Sequence, residues 1–258
     1  MNRETVLFER RDGVALITLN RPAKRNAFND QQYDDLADAL SEARADEAIK
    51  VAVITGAAGA FSAGQDLGEM SDPQQHDDGR PHGFLPFVDQ LSTFDLPLLA
   101  AVNGVGVGIG LTMLLHCDLV YMAQSARLRA PFVSLGLVPE AGSSLLLQAI
   151  VGPQTAAELL YTTAWIDAER AVAIGLAAAA FPDDELLERT LQRASEIATQ
   201  PRAALRSTKQ LLLAVRAEAL TAARRREDPA MAQLIGSPAN VEAIRAFREK
   251  RPPDFTGL

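Results

Sequence analysis

The stretch "LGLVPEAGSSLLL", Leu135 to Leu147, places one carboxylate, Glu140, between a proline and a small-residue turn, with apolar residues on both sides. An acid so placed can serve as a general base kept from water, because burial penalises its ionised form and lifts its pKa. It can equally be an acid attracted to the positive end of a helix beginning near Gly142. Residue types alone leave both readings open.

Two further segments can carry chemistry. "GAAGAFSAGQDL", Gly56 to Leu67, follows an apolar β-branched run, and its small residues Ser62, Ala63 and Gly64 leave backbone N–H groups accessible to an anion or oxyanion. An ordinary tight turn has the same composition. "AVNGVGVGIGLTML", Ala101 to Leu114, leads through glycines toward a helix start, where negative charge is stabilised. Close strand packing would use the same glycines. With Ile109 and Leu111 where a dinucleotide fingerprint needs other spacing, no G-x-G-x-x-G occurs.

These segments need a scaffold. "VALITL" (Val14 to Leu19), "VAVIT" (Val51 to Thr55), "LLAAV" (Leu98 to Val102) and "LVYMA" (Leu119 to Ala123) read as buried strands. A helix is predicted between the first two. Asn29 is its N-cap, Gln32 takes the capping-box position, and Tyr33, Leu36 and Leu40 share one face. Strands alternating with helices give an α/β class. Beyond about Gly142 the pattern becomes almost wholly helical, with a stop at Gly175 and a last helix cut off by Pro252 and Pro253. The uncharged run Leu96 to Leu115 is long enough to span a bilayer, but Pro97, Asn103 and alternating glycines make it a buried strand and loop. Ser71 to Gly83, rich in turn-formers and charge, is expected to be a mobile loop.

Of 258 residues 48% are hydrophobic, enough for a substantial core, and the net charge of −8 argues against a nucleic-acid partner. The single cysteine, Cys117, excludes an internal disulfide and fits a reducing, cytoplasmic setting; no targeting segment is read at the start.

"NRPAKRNAF", "FSAGQDL", "AVNGVGVGIG", "HCDLVYMAQSARLRAPFVSLGLVPEAGSS", "AERAVAIGL" and "AFREKRPPDF", in this order from about Leu16 to Phe255, resemble the crotonase (enoyl-CoA hydratase/isomerase) superfamily. The resemblance implies a spiral core of repeated ββα units over residues 1–197, and a helical region over 198–258 that makes trimers or dimers of trimers. It implies an acyl-CoA thioester substrate, with coenzyme A as part of that substrate and no separate cofactor or metal. Backbone N–H groups of Ala63 and Ile109 would hold the thioester enolate; the family usually has glycine where this chain has Ile109. Lys24 and Arg25 would meet the coenzyme A phosphates, and Phe247 and Lys250 would help close the coenzyme site. Ala27, Ser62, Gly64, Gln65, Asp66, Leu67, Gly108 and Phe132 would line the substrate path. For Asp66 a role orienting the oxyanion loop, a coenzyme contact and a plain turn all stay open.

Hydratases of this kind use two glutamates. At their positions this chain has Thr112 and Phe132. "PFVSLGLVPEAGSS" instead resembles the Δ3,Δ2-enoyl-CoA isomerase branch, in which an acid at the place of Glu140 is the sole base. The expectation is an isomerase converting 3-enoyl-CoA to 2-enoyl-CoA. Hydration or another crotonase reaction on an aromatic or branched acyl-CoA, and a non-catalytic acyl-CoA binder, are the alternatives. His76, His82, Asp77 and Asp78 match no metal-ligand spacing, His116 and Cys117 are expected to be core packing, and "ARRRED" (Ala223 to Asp228) a solvated helix end.

Overall fold

The structure, a computed structural model, describes residues 3–68 and 81–258. A hairpin of β1 (Val6–Arg11) and β2 (Val14–Leu19) opens the chain, followed by α1 (Asp30–Ala45) and β3 (Val51–Gly56). Next come α2 (Phe84–Ser92), β4 (Leu98–Val102), β5 (Val105–Val107) and the one-turn α3 (Ile109–Thr112). Then follow β6 (Leu119–Ala123), β7 (Arg127–Arg129), α4 (Ser143–Val151), α5 (Pro153–Thr162), β8 (Ile166–Asp167), α6 (Ala168–Ala173) and β9 (Ala179–Phe181). The C-terminal part is α7 (Leu186–Ala198), α8 (Arg202–Leu234) and α9 (Pro238–Glu249).

A six-stranded sheet runs in the order β1-β2-β3-β4-β6-β9, parallel throughout except for the β1–β2 hairpin. All six residues of β3 are buried, as a central parallel strand covered on both faces requires. A smaller sheet, β5-β7-β8, stands apart from it. The predicted strands thus lie in the large sheet, and the short β5, β7, β8 and β9 went unpredicted because three or fewer residues carry no period. The run Leu96 to Leu115 is divided among β4, β5 and α3; among the described residues no helix is long and apolar enough to cross a membrane.

Asn29 caps α1, its side chain accepting from Gln32 N at 3.1 Å, and Tyr33, Leu36 and Leu40 are buried. The reciprocal half of a capping box is missing: Gln32 Nε2 donates to Asn26 O at 3.2 Å instead. Helix α8 is bolted onto the core. Buried Lys209 reaches both oxygens of Asp118 at 2.7 Å, and Arg206 Nε donates to Asp95 Oδ2 at 2.7 Å. The "ARRRED" segment is not a solvated helix end. Ala223 and Glu227 are buried there, and α8 continues to Leu234 through Pro229. His76, Asp77, Asp78 and most of the Ser71 to Gly83 loop lie outside the described residues.

Candidate active site

The two glycine-bearing segments meet in a short parallel bridge between Ser62 and Gly106. Ser62 N donates to Val105 O at 2.8 Å and Val107 N to Ser62 O at 3.0 Å. Beyond the bridge both chains stay in contact: a Cβ added at Gly64 would stand 2.8 Å from Val107 O, and Gly64 has φ +93°. Only glycine allows that approach.

This register decides which amides are free. Ala63 N–H does not serve as an oxyanion donor, because it already donates to Arg25 O at 2.9 Å. Phe28 N bonds Gly64 O and Asp66 N bonds Phe28 O, so the loop is stitched on either side of Gln65. Among the described residues the Gln65 N–H has no acceptor, nor does the Ile109 N–H at the first position of α3. Each lies three residues beyond the bridge, so parallel pairing carries the two amides forward side by side. Such a pair can stabilise an enolate oxygen. The departure from glycine at Ile109 is accommodated because its side chain is buried in the core, leaving the amide untouched.

A residue that motif reading missed holds this loop. Asn26 is fully buried at φ +55°, a conformation that asparagine tolerates better than most residues. Its Nδ2 donates to Ala57 O (3.0 Å) and Ala60 O (2.7 Å), its Oδ1 accepts from Arg21 N (2.9 Å), and its carbonyl accepts from Ser62 Oγ (2.8 Å). Asp66 is buried, accepts from Arg21 Nη2 at 3.3 Å and from Gly68 N at 3.1 Å, and pairs with Lys24 Nζ at 3.7 Å. These contacts tie the loop to the Arg21–Lys24 segment and close a turn at Gly68. Ala27 and Ser62 are buried within the same framework, while Lys24 and Arg25 are exposed beside it, and Leu67 O accepts from Arg248 Nη2 of α9 at 3.3 Å.

Glu140 is partly buried on the turn that precedes α4. Among the described residues its carboxylate has no hydrogen-bond or ion-pair partner; only its carbonyl is used, accepting from Ser143 N at 2.9 Å. Desolvation, reinforced by the charge of Glu227, pushes its pKa up to about 8. Glu140's charge reaches Tyr33, whose pKa rises through burial and then through that carboxylate. Tyr33 Oη donates to Gln65 Oε1 at 2.8 Å, so α1, the oxyanion loop and the Glu140 turn converge. Thr112 and Phe132 are both buried and by residue type offer no carboxylate; among the described residues the Thr112 Oγ1 has no partner. Gly108 turns the chain into α3 at φ +56°. Phe247 and Lys250 stand exposed on the last turn and C-cap of α9, flanking Arg248, which reaches Leu67 O.

His116 and Cys117 are structural, as expected. Burial pushes the Cys117 thiol up to about 12 and the His116 ring down to about 4. His116 has one contact that matters here: Nε2 donates to Ala141 O at 2.8 Å, directly behind Glu140.

The pattern of the enoyl-CoA hydratase/isomerase family matches residues 9–258. The chain is 38% identical over 255 residues to 2,3-dehydroadipyl-CoA hydratase of Escherichia coli, covering 98% of each. It is 34% identical to 1,2-epoxyphenylacetyl-CoA isomerase of the same organism, over 98% of this chain and 99% of that one. The crystal structure of an enoyl-CoA hydratase/isomerase from Pseudoalteromonas atlantica superposes with a TM-score of 0.93 at 37% identity, covering 98% of this chain and all of that one. With its α/β spiral, C-terminal helices and nearly complete correspondence, the chain belongs to the enoyl-CoA hydratase/isomerase family of the crotonase superfamily.

Proposed function

We propose that this protein is an acyl-CoA double-bond isomerase, converting a 3-enoyl thioester to the 2-enoyl form with Glu140 as its single base. The observation that carries this reading is a desolvated carboxylate without a partner among the described residues, close enough to bias Tyr33, which bonds Gln65 on a loop whose amide has no acceptor there, while Thr112 and Phe132 occupy the places of the hydratase acids. The ionised Glu140 removes a proton from C2 of the substrate. The electron pair moves into the thioester, and the Gln65 and Ile109 amides hold the resulting dienolate oxygen. Glu140 then returns the proton to C4, and the double bond comes to rest between C2 and C3. A pKa of about 8 suits a group that must both take and give a proton near neutrality. Lys24 and Arg25, exposed at the mouth of the loop, are the proposed contacts for the coenzyme A phosphates, and Phe247 and Lys250 the proposed closure.

The names of the relatives support a second reading, in which the same hole serves hydration or an isomerisation of an aromatic acyl-CoA. We further propose a cytoplasmic homotrimer or dimer of trimers. Leu211, Leu212 and Val215, all exposed on α8, support an assembly that covers them.

Turnover of 3-hexenoyl-CoA and 2-hexenoyl-CoA by wild-type protein and Glu140→Gln is the test. Isomerisation of the 3-enoyl substrate is expected to fall by roughly 10²–10⁴-fold in the variant, with ligand binding kept. Hydration of the 2-enoyl substrate that survives the substitution would replace this reading with the second one.

A further inference from the structure

An acid just ahead of a helix ordinarily caps it, and its pKa then falls. Glu140 does not cap α4. The amino end of that helix is occupied from behind by Glu227 of α8. Glu227 Oε2 accepts from Gly142 N at 2.6 Å and Oε1 from Ser144 N at 2.8 Å, across 85 and 83 residues of sequence. Glu227 is 5% exposed. The turn in front of it holds two successive left-handed residues, Ala141 at φ +57° and Gly142 at φ +76°. A Cβ at Gly142 would lie 2.1 Å from Leu220 of α8, and Ala141 O is held by His116. Helix α8 is therefore pressed against the back of the turn.

We propose that Glu227 is a positioning residue for Glu140: by taking both free amides at the start of α4, it fixes the turn that aims Glu140 and withholds the helix's positive end from the Glu140 carboxylate. This inference rests on the reading of Glu140 as the base. Two physical effects act in the same direction. A second carboxylate behind the turn disfavours ionisation of the first, and a helix terminus already neutralised has little left to stabilise it. Of the groups packed against the turn, Glu227 of α8 and the Tyr33 hydroxyl of α1 face Glu140. The neutral ring of His116 lies behind Ala141, with Arg216, Lys209 and Arg224 of α8 around it. Arg224 is itself paired with Asp89 at 2.6 Å. The C-terminal region, in this arrangement, belongs to the proton-transfer machinery as well as to the scaffold.

The test is an infrared titration of the protonated-carboxyl stretch of Glu140, identified by its loss in Glu140→Gln and followed in wild type, Glu227→Gln and Glu227→Asp. This readout needs no turnover, so a wild-type protein that fails to isomerise 3-hexenoyl-CoA would sink the proposed reaction and leave this inference standing. In Glu227→Gln the midpoint is expected to fall by about one pH unit or more, and the acid limb of kcat/KM to move with it. Glu227→Asp keeps the charge and holds the midpoint near its wild-type value. A midpoint that stays put in Glu227→Gln, with rate loss tracking only a lower Tm, overturns the proposal. Should Glu227→Gln fail to fold, Glu227→Asp carries the test. Its shorter side chain reaches one amide only, so hydrogen exchange at Gly142 or Ser144 is expected to speed up at least about tenfold, with kcat falling at unchanged KM. Exchange and kcat equal to wild type overturn it as well.

Discussion

The Gln65 loop and the Glu140 turn carry the two halves of the proposed reaction and are built by different means. The loop is closed within the first part of the chain: its bonds run from Asn26, Phe28 and Arg25 to residues 57–66, and its partner strand follows about 40 residues later. The turn draws on a much longer reach: Glu227 bonds it across 85 and 83 residues, with His116 joining from 25 residues away. The chemistry explains the difference. An amide donor needs only to be left without an acceptor, and a parallel register can arrange that over a few residues. A base with a raised pKa must be desolvated and kept from nearby cations and helix ends, which requires packing from several directions.

If that contrast is right, disturbing each region should fail in its own way. The largest effect is expected from Gly64→Ala. A Cβ at φ +93°, 2.8 Å from Val107 O, pushes the loop off the α3 strand-turn and spoils the donor pair. Steady-state kinetics should show kcat reduced by roughly 10²–10³-fold, with the Glu140 titration unmoved. A loss under tenfold would mean the donors lie elsewhere.

Asn26→Ala comes next. It leaves Ala57 O and Ala60 O without their donor inside the protein and puts alanine at φ +55°. Denaturant unfolding is expected to report a loss of about 2–4 kcal/mol. An unchanged midpoint would show the loop to be held by other bonds.

Glu140→Gln is expected to stabilise the fold. The folded carboxyl holds its proton up to about 8, well above the ordinary value of 4.5, so wild-type stability declines as pH rises through that window. The amide carries no such cost. Its Tm should match wild type near pH 4.5 and exceed it by pH 8, a gain on the order of 1–2 kcal/mol once residual solvation is allowed for. Parallel pH–Tm curves would refute the desolvated carboxylate.

The smallest effect is expected from Lys24→Ala. Its side chain is 60% exposed and pairs with Asp66 only at 3.7 Å. KM for the coenzyme A substrate should rise by no more than about fivefold with kcat unchanged, and added salt should erase the difference.

Much of this was legible in residue order. The strands Val14–Leu19, Leu98–Val102 and Leu119–Ala123 coincide with their apolar runs, and the α1 cap falls on Asn29. Glu140 stood out because a lone acid amid apolar residues is conspicuous whatever its role. On the first loop the amide expected from "SAGQD", Ala63, is already spent on Arg25 O, while that of Gln65 two residues on is left without an acceptor among the described residues; residue types do not show which amide is spent. Glu227 was hidden inside a charged run that reads as solvated surface; burial of one residue within such a run leaves no periodic mark.

Sequence alone determined the α/β class, the identity of the segments that meet at the site and the absence of carboxylates at positions 112 and 132, because these depend on residue type and local period. Tertiary structure decided which amides remain free, what caps α4 and at what pH Glu140 holds its proton. Those properties belong to pairs of groups distant in the chain, and their energies depend on separation and surrounding dielectric, which only the folded arrangement defines.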